Sequence, residues 1–463
     1  MDTNLAQASV NTPDFQLLDE TIMASMERLH VPGVAVGVLY GDQQHAAGFG
    51  VTNIKHPLPI DSDTLFQIGS ITKTFTGTAV MRLVEMGRLD MDAPVRTYLP
   101  ELRLADEATA ARLTLRHLLT HTAGWQTDYF YNPGSDSDAL VKYVAGMKEL
   151  PQITPVGEVW AYNSPGICLT GRVLEVVTDK TCEAAINELV LAPLDMRLSF
   201  FFAEHAIVHR VAVGHYSRGE TGLMVAEAWA VPRALHPSGG LITTVNDLLR
   251  YVHFHLGTGV AADGTCLLTS ASLAMMKTPQ VQAGGRADAA GITWMLKDMV
   301  GGRLVRHEGG TSGQWSECLM VPERDFALIL LTNAEAGDTL NTEVSRWALR
   351  HYLQIEEPEL IFITLPEEKL VSYVGRYEAA IATVELSLQA GELIAQVTYK
   401  SGLPTKEAPP PPLVPPVRLA FYRENRMIVV DPPIQGYRGE LLRSAQGEIA
   451  WLRFNGHLYV RLN

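Results

Sequence analysis

Strand-like apolar runs stand at both ends of a long segment whose middle carries helix patterns. Residues 34–40 and 45–51 predict a β-hairpin, which follows an N-terminal helix over about residues 15–29. A buried strand is predicted near residues 326–331, and a helix over 343–353 closes the segment. Strands from both ends with helices between them predict an α/β fold, in which a sheet flanked by helices adjoins a helical lobe and the groove between them holds the active site. Helices of the middle are predicted at 72–86, 115–119, 166–178 and 246–256.

After about Glu357 the sequence changes to short runs of alternating apolar and polar residues. Examples are 384–388, 393–397, 427–430 and a single run over 449–460. We therefore predict a first domain over residues 1–357 and an all-β second domain over 358–463. The proline-rich stretch 407–416 fits an interdomain linker or an SH3-type ligand, but strand patterns flank it on both sides. We favour a stiff loop inside the second domain.

The charge balance limits the kinds of partner. The 463-residue chain has a formal net charge of -14 and carries no run of lysine or arginine, which disfavours a nucleic-acid or anionic-membrane partner. The first residues lack the basic and apolar regions of a signal peptide, and no later segment is a continuous apolar stretch of membrane-spanning length. We expect a soluble, cytoplasmic protein.

The cysteines lie far apart along the chain. Cys168, Cys182, Cys266 and Cys318 show no C-x-x-C spacing. We expect four buried, reduced thiols.

Ser70 is the only serine with a lysine three residues downstream, and it stands where an apolar run meets an amphipathic helix. Spacing of i,i+3 places Lys73 on the helix face of Ser70, within reach to serve as a base. The helix start also directs backbone N–H groups toward developing negative charge. An isolated match fits an N-cap serine with a solvated lysine equally well, so further motifs must decide.

Two glycine-rich segments supply those motifs. The stretch GEVWAYNSPG over 157–166 can present Tyr162 from a loop tip, although alone it also fits a Tyr/Trp pair that fills a lobe interface. The stretch RHEGGTSG over 306–313 precedes the buried strand. Glycines at an edge strand let a substrate backbone approach, and a backbone N–H there can complete an oxyanion hole; the alternative is a β-turn.

Taken in order, the three motifs resemble those of the penicillin-recognising serine hydrolases, of peptidase family S12 type. This family includes class C β-lactamases, D-aminopeptidase and D,D-carboxypeptidase relatives, and β-lactamase-like esterases. The resemblance covers about residues 21–353 and includes LTLRHLLTHTAG at 113–124 and SGGLITTVNDL at 238–248. It implies a β-lactamase-like fold. The tail, which opens with YVGRY at 373–377, resembles the lipocalin-like barrel appended to some D-aminopeptidase-like members.

The resemblance also implies roles for the residues of the SxxK motif and its partners. Ser70 would be the acylated nucleophile, and Lys73 and Tyr162 would share its proton. The N–H groups of Ser70 and Gly310 would hold the oxyanion, with Gly309 beside them on the same strand. Whether Lys73 or Tyr162 takes the proton stays open.

The sequence departs from the family pattern at two positions. The family has Tyr-x-Asn, whereas here Asn163 comes one place early and Ser164, a shorter donor, stands at the third position. His307-Glu308-Gly309 replaces the Lys-Thr-Gly of β-lactamases. Histidine weakens the fixed charge that holds a β-lactam carboxylate, so we expect weak β-lactamase activity and a preference for carboxylate substrates that rises as the pH falls through about 6.5.

Two histidine pairs at i,i+4 spacing, His117/His121 and His205/His209, invite a metal hypothesis. Neither pair has the glutamate of an H-E-x-x-H motif or an evident third ligand, so we expect no metal and no cofactor. The first pair fits a structural role.

The sequence thus predicts a serine hydrolase that acts through a Ser70 acyl-enzyme. Its expected substrates are small molecules or short peptides, namely D-amino-acid peptides and amides or small esters. The alternatives are a weak β-lactamase and a penicillin-binding sensor or scaffold that acylates without turnover. The oligomeric state is left open.

Overall fold

The computed structural model describes residues 13–219, 222–285, 287–400 and 413–462. Helices and strands alternate up to residue 353, and from residue 375 the described elements are all strands. The α-helices of these ranges are α1 (Phe15–Leu29), α2 (Thr72–Glu85), α3 (Glu107–Arg112), α4 (Leu115–Leu119), α5 (Ala139–Gly146), α6 (Ser164–Thr178), α7 (Cys182–Ile186), α8 (Ala203–Ala206), α9 (His236–Gly239), α10 (Val245–Leu256), α11 (Ser270–Lys277), α12 (Gly337–Leu353) and α13 (Glu367–Tyr373). The β-strands are β1 (Gly33–Tyr40), β2 (Gln43–Gly50), β3 (Phe66–Gln67), β4 (His215–Arg218), β5 (Gly222–Val225), β6 (Ile242–Thr243), β7 (Val281–Gln282), β8 (Ala289–Ala290), β9 (Met295–Met299), β10 (Gly302–Thr311), β11 (Gln314–Val321), β12 (Phe326–Thr332), β13 (Gly375–Glu378), β14 (Ala382–Gln389), β15 (Glu392–Tyr399), β16 (Val417–Arg423), β17 (Arg426–Val429), β18 (Arg438–Arg443), β19 (Ile449–Phe454) and β20 (His457–Leu462).

The two ends of the first domain meet in one eight-stranded sheet. Its order is β2-β1-β12-β11-β10-β9-β8-β7, and every neighbouring pair is antiparallel. The hairpin β1–β2 lies next to β12 with Val36 opposite Leu330. The strand that returns near residue 326 therefore joins the N-terminal hairpin, as the sequence predicted.

Both faces of the central strands are covered by helices. Along β12, Leu328 and Leu330 pack in a cluster with residues of α1 and α12, whereas Ile329 and Leu331 pack in the cluster of the helical lobe. Successive side chains of a strand point to opposite faces, so a strand buried on both faces is apolar throughout. This explains the uninterrupted apolar run over residues 326–331.

The predicted helices are confirmed, and two of them, α1 and α4, have the predicted bounds. The closing helix α12 begins six residues earlier than the predicted Glu343, at Gly337. Sequence patterns identify the periodic part of a helix better than its first turn, which depends on tertiary contacts.

Strands β13 to β20 close a barrel in chain order. Apolar side chains fill its interior, among them Tyr377, Val384 and Leu452. The prediction of one run over 449–460 is wrong, because these residues form two strands, β19 and β20, around Asn455 and Gly456 at φ angles of 47° and 90°. Asn-Gly favours this two-residue hairpin turn since both positions need positive φ.

Residues 407–412 of the proline-rich stretch 407–416 lie outside the described residues. The strands before and after it, β15 and β16, pair with each other inside the barrel. The domain boundary at Glu357 stays a prediction.

Three of the four cysteines, Cys168, Cys182 and Cys318, are buried and free, as predicted. The prediction for Cys266 is wrong, because this residue lies exposed in the loop between α10 and α11. Among the described helices, none combines the length and the apolar character that a membrane crossing needs.

Candidate active site

Ser70 and Lys73 lie where a short strand turns into α2. Ser70 belongs to a 3₁₀ turn over Gly69–Ile71, which continues directly into the helix. Lys73 is 1% exposed, and its Nζ lies 2.9 Å from Ser70 Oγ. The predicted i,i+3 contact therefore exists, and the lysine is buried rather than solvated.

A backbone carbonyl fixes the lysine from the other side. Lys73 Nζ donates to Ser238 O at 2.7 Å, at the segment that forms α9. Burial is the main cause that lowers the pKa of Lys73 to about 7, and the nearby Cys168 opposes it weakly. A large fraction of Lys73 is thus neutral near pH 7, and its Nζ lies within hydrogen-bond distance of the Ser70 hydroxyl.

Strand β10 runs against the Ser70 turn at unusually short range. A Cβ added to Gly309 would lie 1.9 Å from Ile68 O, and one added to Gly69 would lie 2.7 Å from Gly310 N. The side chain of Ser316 on β11 donates to Ile68 O at 2.8 Å and holds the two segments together. Glycine is therefore required at these positions, and Gly310 comes next to Ser70; its role as an oxyanion donor stays a prediction.

Strand β10, which carries these glycines, pairs with β11 along both of its halves but with β9 only along its first half. β10 lies between β9 and β11, but its pairing with β9 ends at Arg306. Residues 307–311 pair with β11 alone among the described strands. The predicted edge thus holds for the part that adjoins Ser70, whereas residues 302–306 lie inside the sheet.

Tyr162 lies above the lysine. Lys73 Nζ is 4.9 Å from the centre of the Tyr162 ring. Burial raises the pKa of Tyr162, the Ser70 hydroxyl opposes this change, and Glu308 and Asp128 add to it. The phenol therefore keeps its proton while the lysine loses one.

His307 also belongs to this cluster, with its ring 6.1 Å from that of Tyr162. It is 2% exposed, and its Nδ1 lies 2.7 Å from the carbonyl oxygen of Glu308. A carbonyl only accepts, so Nδ1 carries the proton and Nε2 carries a lone pair. Nε2 is buried and has no hydrogen-bond partner within the described part of the chain.

The expected titration of His307 near pH 6.5 is wrong. Burial, and then the charge of Lys73, lower its pKa to about 4. His307 is therefore neutral over the physiological range, because burial and the charge of Lys73 outweigh the carbonyl and the charge of Glu308, which act in the opposite direction. The substrate preference predicted to rise through pH 6.5 loses its physical basis.

The neighbours Asn163 and Ser164 have different surroundings. Asn163 is the N-cap of α6; its Oδ1 accepts from Gly166 N at 2.8 Å and from Trp125 Nε1 at 2.8 Å. This asparagine is 2% exposed and serves the local structure. Ser164 is half-buried at the first helical position, and its contact with a substrate stays a prediction.

The histidine pairs have protein partners that a metal ion would displace. His117 forms a capping box with Thr114 at the start of α4, and His121 Nδ1 lies 3.2 Å from Asn163 O. His205 and His209 contact the rings of Phe202 and Phe200. No cluster of three possible ligands occurs in the ranges that the structure describes.

Sequence reasoning missed several groups around Tyr162. His121 packs with its ring 4.9 Å from Tyr162, and burial lowers its pKa to about 3. His457 of the barrel lies 6.4 Å from the Tyr162 ring, and its Nδ1 is 3.2 Å from Asp128 Oδ2. The sequence places His121 in a connecting segment of the family that it resembles and in a histidine pair, but neither signal predicts its contact with Tyr162. The Asn-Gly sequence before His457 signals a hairpin turn and does not indicate what this turn contacts.

A model of the β-lactamase family matches residues 18–351. Penicillin-binding protein 4 of Amycolatopsis lactamdurans is 32% identical over 339 residues, which cover 72% of this chain and 88% of that protein. Esterase EstB of Burkholderia gladioli is 33% identical over 189 residues, 38% of this chain and 48% of the esterase. The crystal structure of SurE superposes with a TM-score of 0.77 at 23% identity and covers 96% of this chain and 98% of SurE. The shared fold therefore includes the C-terminal barrel.

Proposed function

This chain belongs to the β-lactamase family, and we propose that it is a serine hydrolase that cleaves amide or ester bonds through an acyl-enzyme on Ser70. The observation that carries the proposal is the 2.9 Å contact between Lys73 Nζ and Ser70 Oγ, made by a lysine that burial holds partly neutral. A solvated lysine keeps its proton at pH 7 and cannot act as a base.

Acylation begins with a proton transfer from Ser70 to neutral Lys73. The freed alkoxide attacks the substrate carbonyl, and the N–H groups of Ser70 and Gly310 hold the oxyanion. As the C–N or C–O bond breaks, the protonated Tyr162 gives its proton to the leaving group and recovers one from the Lys73 ammonium. Water then cleaves the acyl-enzyme by the same groups, releases the acid and restores Ser70.

These protonation states support different roles for Lys73 and Tyr162. Burial acts on both groups, but it favours the neutral form of each: an amine for lysine and a phenol for tyrosine. Lys73 is accordingly the general base, and Tyr162 is the general acid toward the leaving group.

The expected substrates are D-amino-acid peptides and amides or small esters. His307 is neutral where β-lactamases carry a lysine, so it offers no fixed charge for the carboxylate of a β-lactam. Relatives named a penicillin-binding protein and an esterase support amide and ester substrates respectively. Ser164 and His307 are the proposed substrate contacts, beside Gly309 and Gly310.

A sensor that acylates without turnover is the second candidate. Its support is Ser164, which offers a shorter donor at the position of the family's asparagine. Weak β-lactamase activity is the third possibility within the same mechanism.

The test is intact-mass analysis over time with a fluorophosphonate probe and with three substrates: a D-alanyl anilide, a short-chain nitrophenyl ester and a chromogenic cephalosporin. The probe should label the wild type once, and Ser70→Ala should lose the label and lower kcat by roughly four orders of magnitude or more. Ser217→Ala, at an exposed serine of β4, is the matched control and should behave as wild type. A label retained in Ser70→Ala would refute the proposal, and a persistent substrate adduct would favour the sensor.

A further inference from the structure

The barrel reaches the segment that carries Tyr162. The backbone N–H of Tyr162 donates to Gly456 O at 2.9 Å. Two residues before Tyr162, the carbonyl of Trp160 accepts from Arg453 Nη1 at 2.8 Å. Gly456 and Arg453 belong to the hairpin formed by β19 and β20, so one rigid element of the barrel holds two points of this segment.

The first domain holds the same segment from its other side, with the His121 ring against Tyr162 and the N–H of Asn163 donating to His121 Nδ1 at 3.1 Å. Within that domain, the N–H of Ala161 donates to His121 O at 3.0 Å. The Trp160 ring packs in a small cluster of its own with Ala283 and Ala287 of the loop before β8 and with Ala290 of β8, apart from the large core of the helical lobe. The segment thus lies between the first domain and the barrel, and the position of the Tyr162 hydroxyl depends on both.

Arg453 is built into this contact. It is 5% exposed, and its Nη2 donates to Glu440 and lies 3.4 Å from Ala283 O. A Cβ added to Gly284 would lie 2.3 Å from Arg453 Nε, so the loop comes close only because glycine stands there. The guanidinium therefore ties Trp160 and the loop to the barrel through the charge of Glu440, which a buried cation requires.

We propose that the β19–β20 hairpin is part of the catalytic site, with Arg453 as a positioning residue that acts on catalysis through Tyr162. The inference rests on the proposed function, since it concerns proton delivery by Tyr162. Misplacing a catalytic group by about 1 Å can lower a rate by roughly a hundredfold, so a distant clamp is sufficient to control kcat.

The test compares Arg453→Met with the matched control Arg426→Met in the full chain. Arg426 donates to the same Glu440 at 2.9 Å, and the hydrogen bond that the structure gives it stays inside the barrel. Arg453→Met should lower kcat for the D-alanyl anilide, whose amine leaving group needs a proton, by about tenfold to a hundredfold with a smaller change of KM. Arg426→Met should keep kcat within about twofold of wild type.

A double mutant separates positioning from general stability. In a Tyr162→Phe background, Arg453→Met should change kcat by less than about twofold, because its effect passes through the hydroxyl that is already gone. A full tenfold loss in that background would overturn the proposal. If the role of Arg453 were merely structural, both arginine variants would have a lower melting temperature. The effects of Arg453→Met and Tyr162→Phe on kcat would then be additive.

Hydrogen exchange of the Tyr162 amide provides a readout without activity. Peptides that contain this amide should exchange faster in Arg453→Met than in wild type or Arg426→Met, because the hydrogen bond to Gly456 opens more often. Unchanged exchange together with unchanged kcat would refute the inference. If Arg453→Met does not fold, Arg453→Lys takes its place, because lysine keeps a positive charge beside Glu440 but lacks the planar guanidinium that bonds several partners at once. Faster exchange with lower kcat would support the inference for this variant, and no change in either would refute it.

The two proposals fail in different ways. A wild type that the fluorophosphonate probe does not label would remove the proposed function. A wild type that is labelled, with Arg453→Met cleaving the D-alanyl anilide at the wild-type kcat, would remove only the positioning role of Arg453.

Discussion

The indole N–H of Trp125 donates a hydrogen bond of 2.8 Å to Oδ1 of Asn163. The same oxygen accepts from the N–H of Gly166 and thereby caps α6, directly after Tyr162. Asn163 thus ties the catalytic segment to the 125–127 segment and to the helix. Asn163, one residue before the asparagine position of the family's Tyr-x-Asn pattern, therefore serves the local structure.

We expect Asn163→Ala to lower the free energy of unfolding by about 2 kcal/mol or more, because it removes an N-cap and leaves a buried indole N–H unpaired. Ser164→Ala, one residue on, should change it by less than about 0.5 kcal/mol. Urea unfolding of the two variants measures the difference. Equal effects at both positions would contradict the separation of their roles.

Activity should depend on the protonation of Lys73. Its pKa of about 7 lies below the ordinary lysine value, so the neutral base forms as the pH rises through about 7. We expect kcat/KM for a neutral ester to fall about tenfold per pH unit on the acid side of this value. The profile is measured with wild type and with His307→Gln as the control, because His307 should not contribute to this limb. A limb that stays in place in an active Lys73 variant would exclude the lysine as its source.

Local signals explain how much of the fold the sequence predicts. Helix α1 begins after Asp14, whose side chain accepts from Leu17 N, and α4 begins after the Thr114 capping box. Such caps lie within a few residues of each other, so single-sequence reasoning finds them. The contact between Ser70 and Lys73 is of the same local kind.

The spacing of residues along the sequence does not by itself predict contacts between distant segments. Gly309 meets Ile68 across more than two hundred residues, and only the resemblance to a known family brought β10 to Ser70. Tyr162 and Gly456 each lie in a recognisable loop or turn pattern, but neither pattern predicts that the two residues are in contact. The neutral state of His307 follows from burial, which a sequence does not show for a histidine between polar and glycine residues.

His457 and Asp128 should make the domain contact sensitive to pH. Burial lowers the pKa of His457, but the charge of Asp128 and the hydrogen bond to it outweigh burial and raise the pKa above the ordinary value. A raised pKa in the folded state means that the pair stabilises fully below about pH 6.5 and loses this contribution as the pH rises through the folded value.

We therefore expect the difference in melting temperature between wild type and His457→Gln to be largest near about pH 6 and to shrink toward about pH 8.5. Asp128→Asn should shift in the same way, and the double variant should add little, because both changes remove one pair. A difference that grows with pH would show that His457 is neutral in the folded protein.

Replacing His307 tests whether the site lacks a fixed positive charge for the carboxylate of a β-lactam. With a pKa of about 4, wild-type His307 stays neutral, so the ratio of kcat/KM for a cephalosporin and a neutral ester should be constant between about pH 5.5 and about pH 8. Titration of Lys73 affects both substrates and cancels in this ratio. His307→Lys supplies the fixed cation and should raise the ratio, whereas His307→Gln, which is neutral, should leave it unchanged. A wild-type ratio that climbs as the pH falls through about 6.5 would mean that His307 does titrate there. An unchanged ratio in the lysine variant would remove this position from substrate recognition.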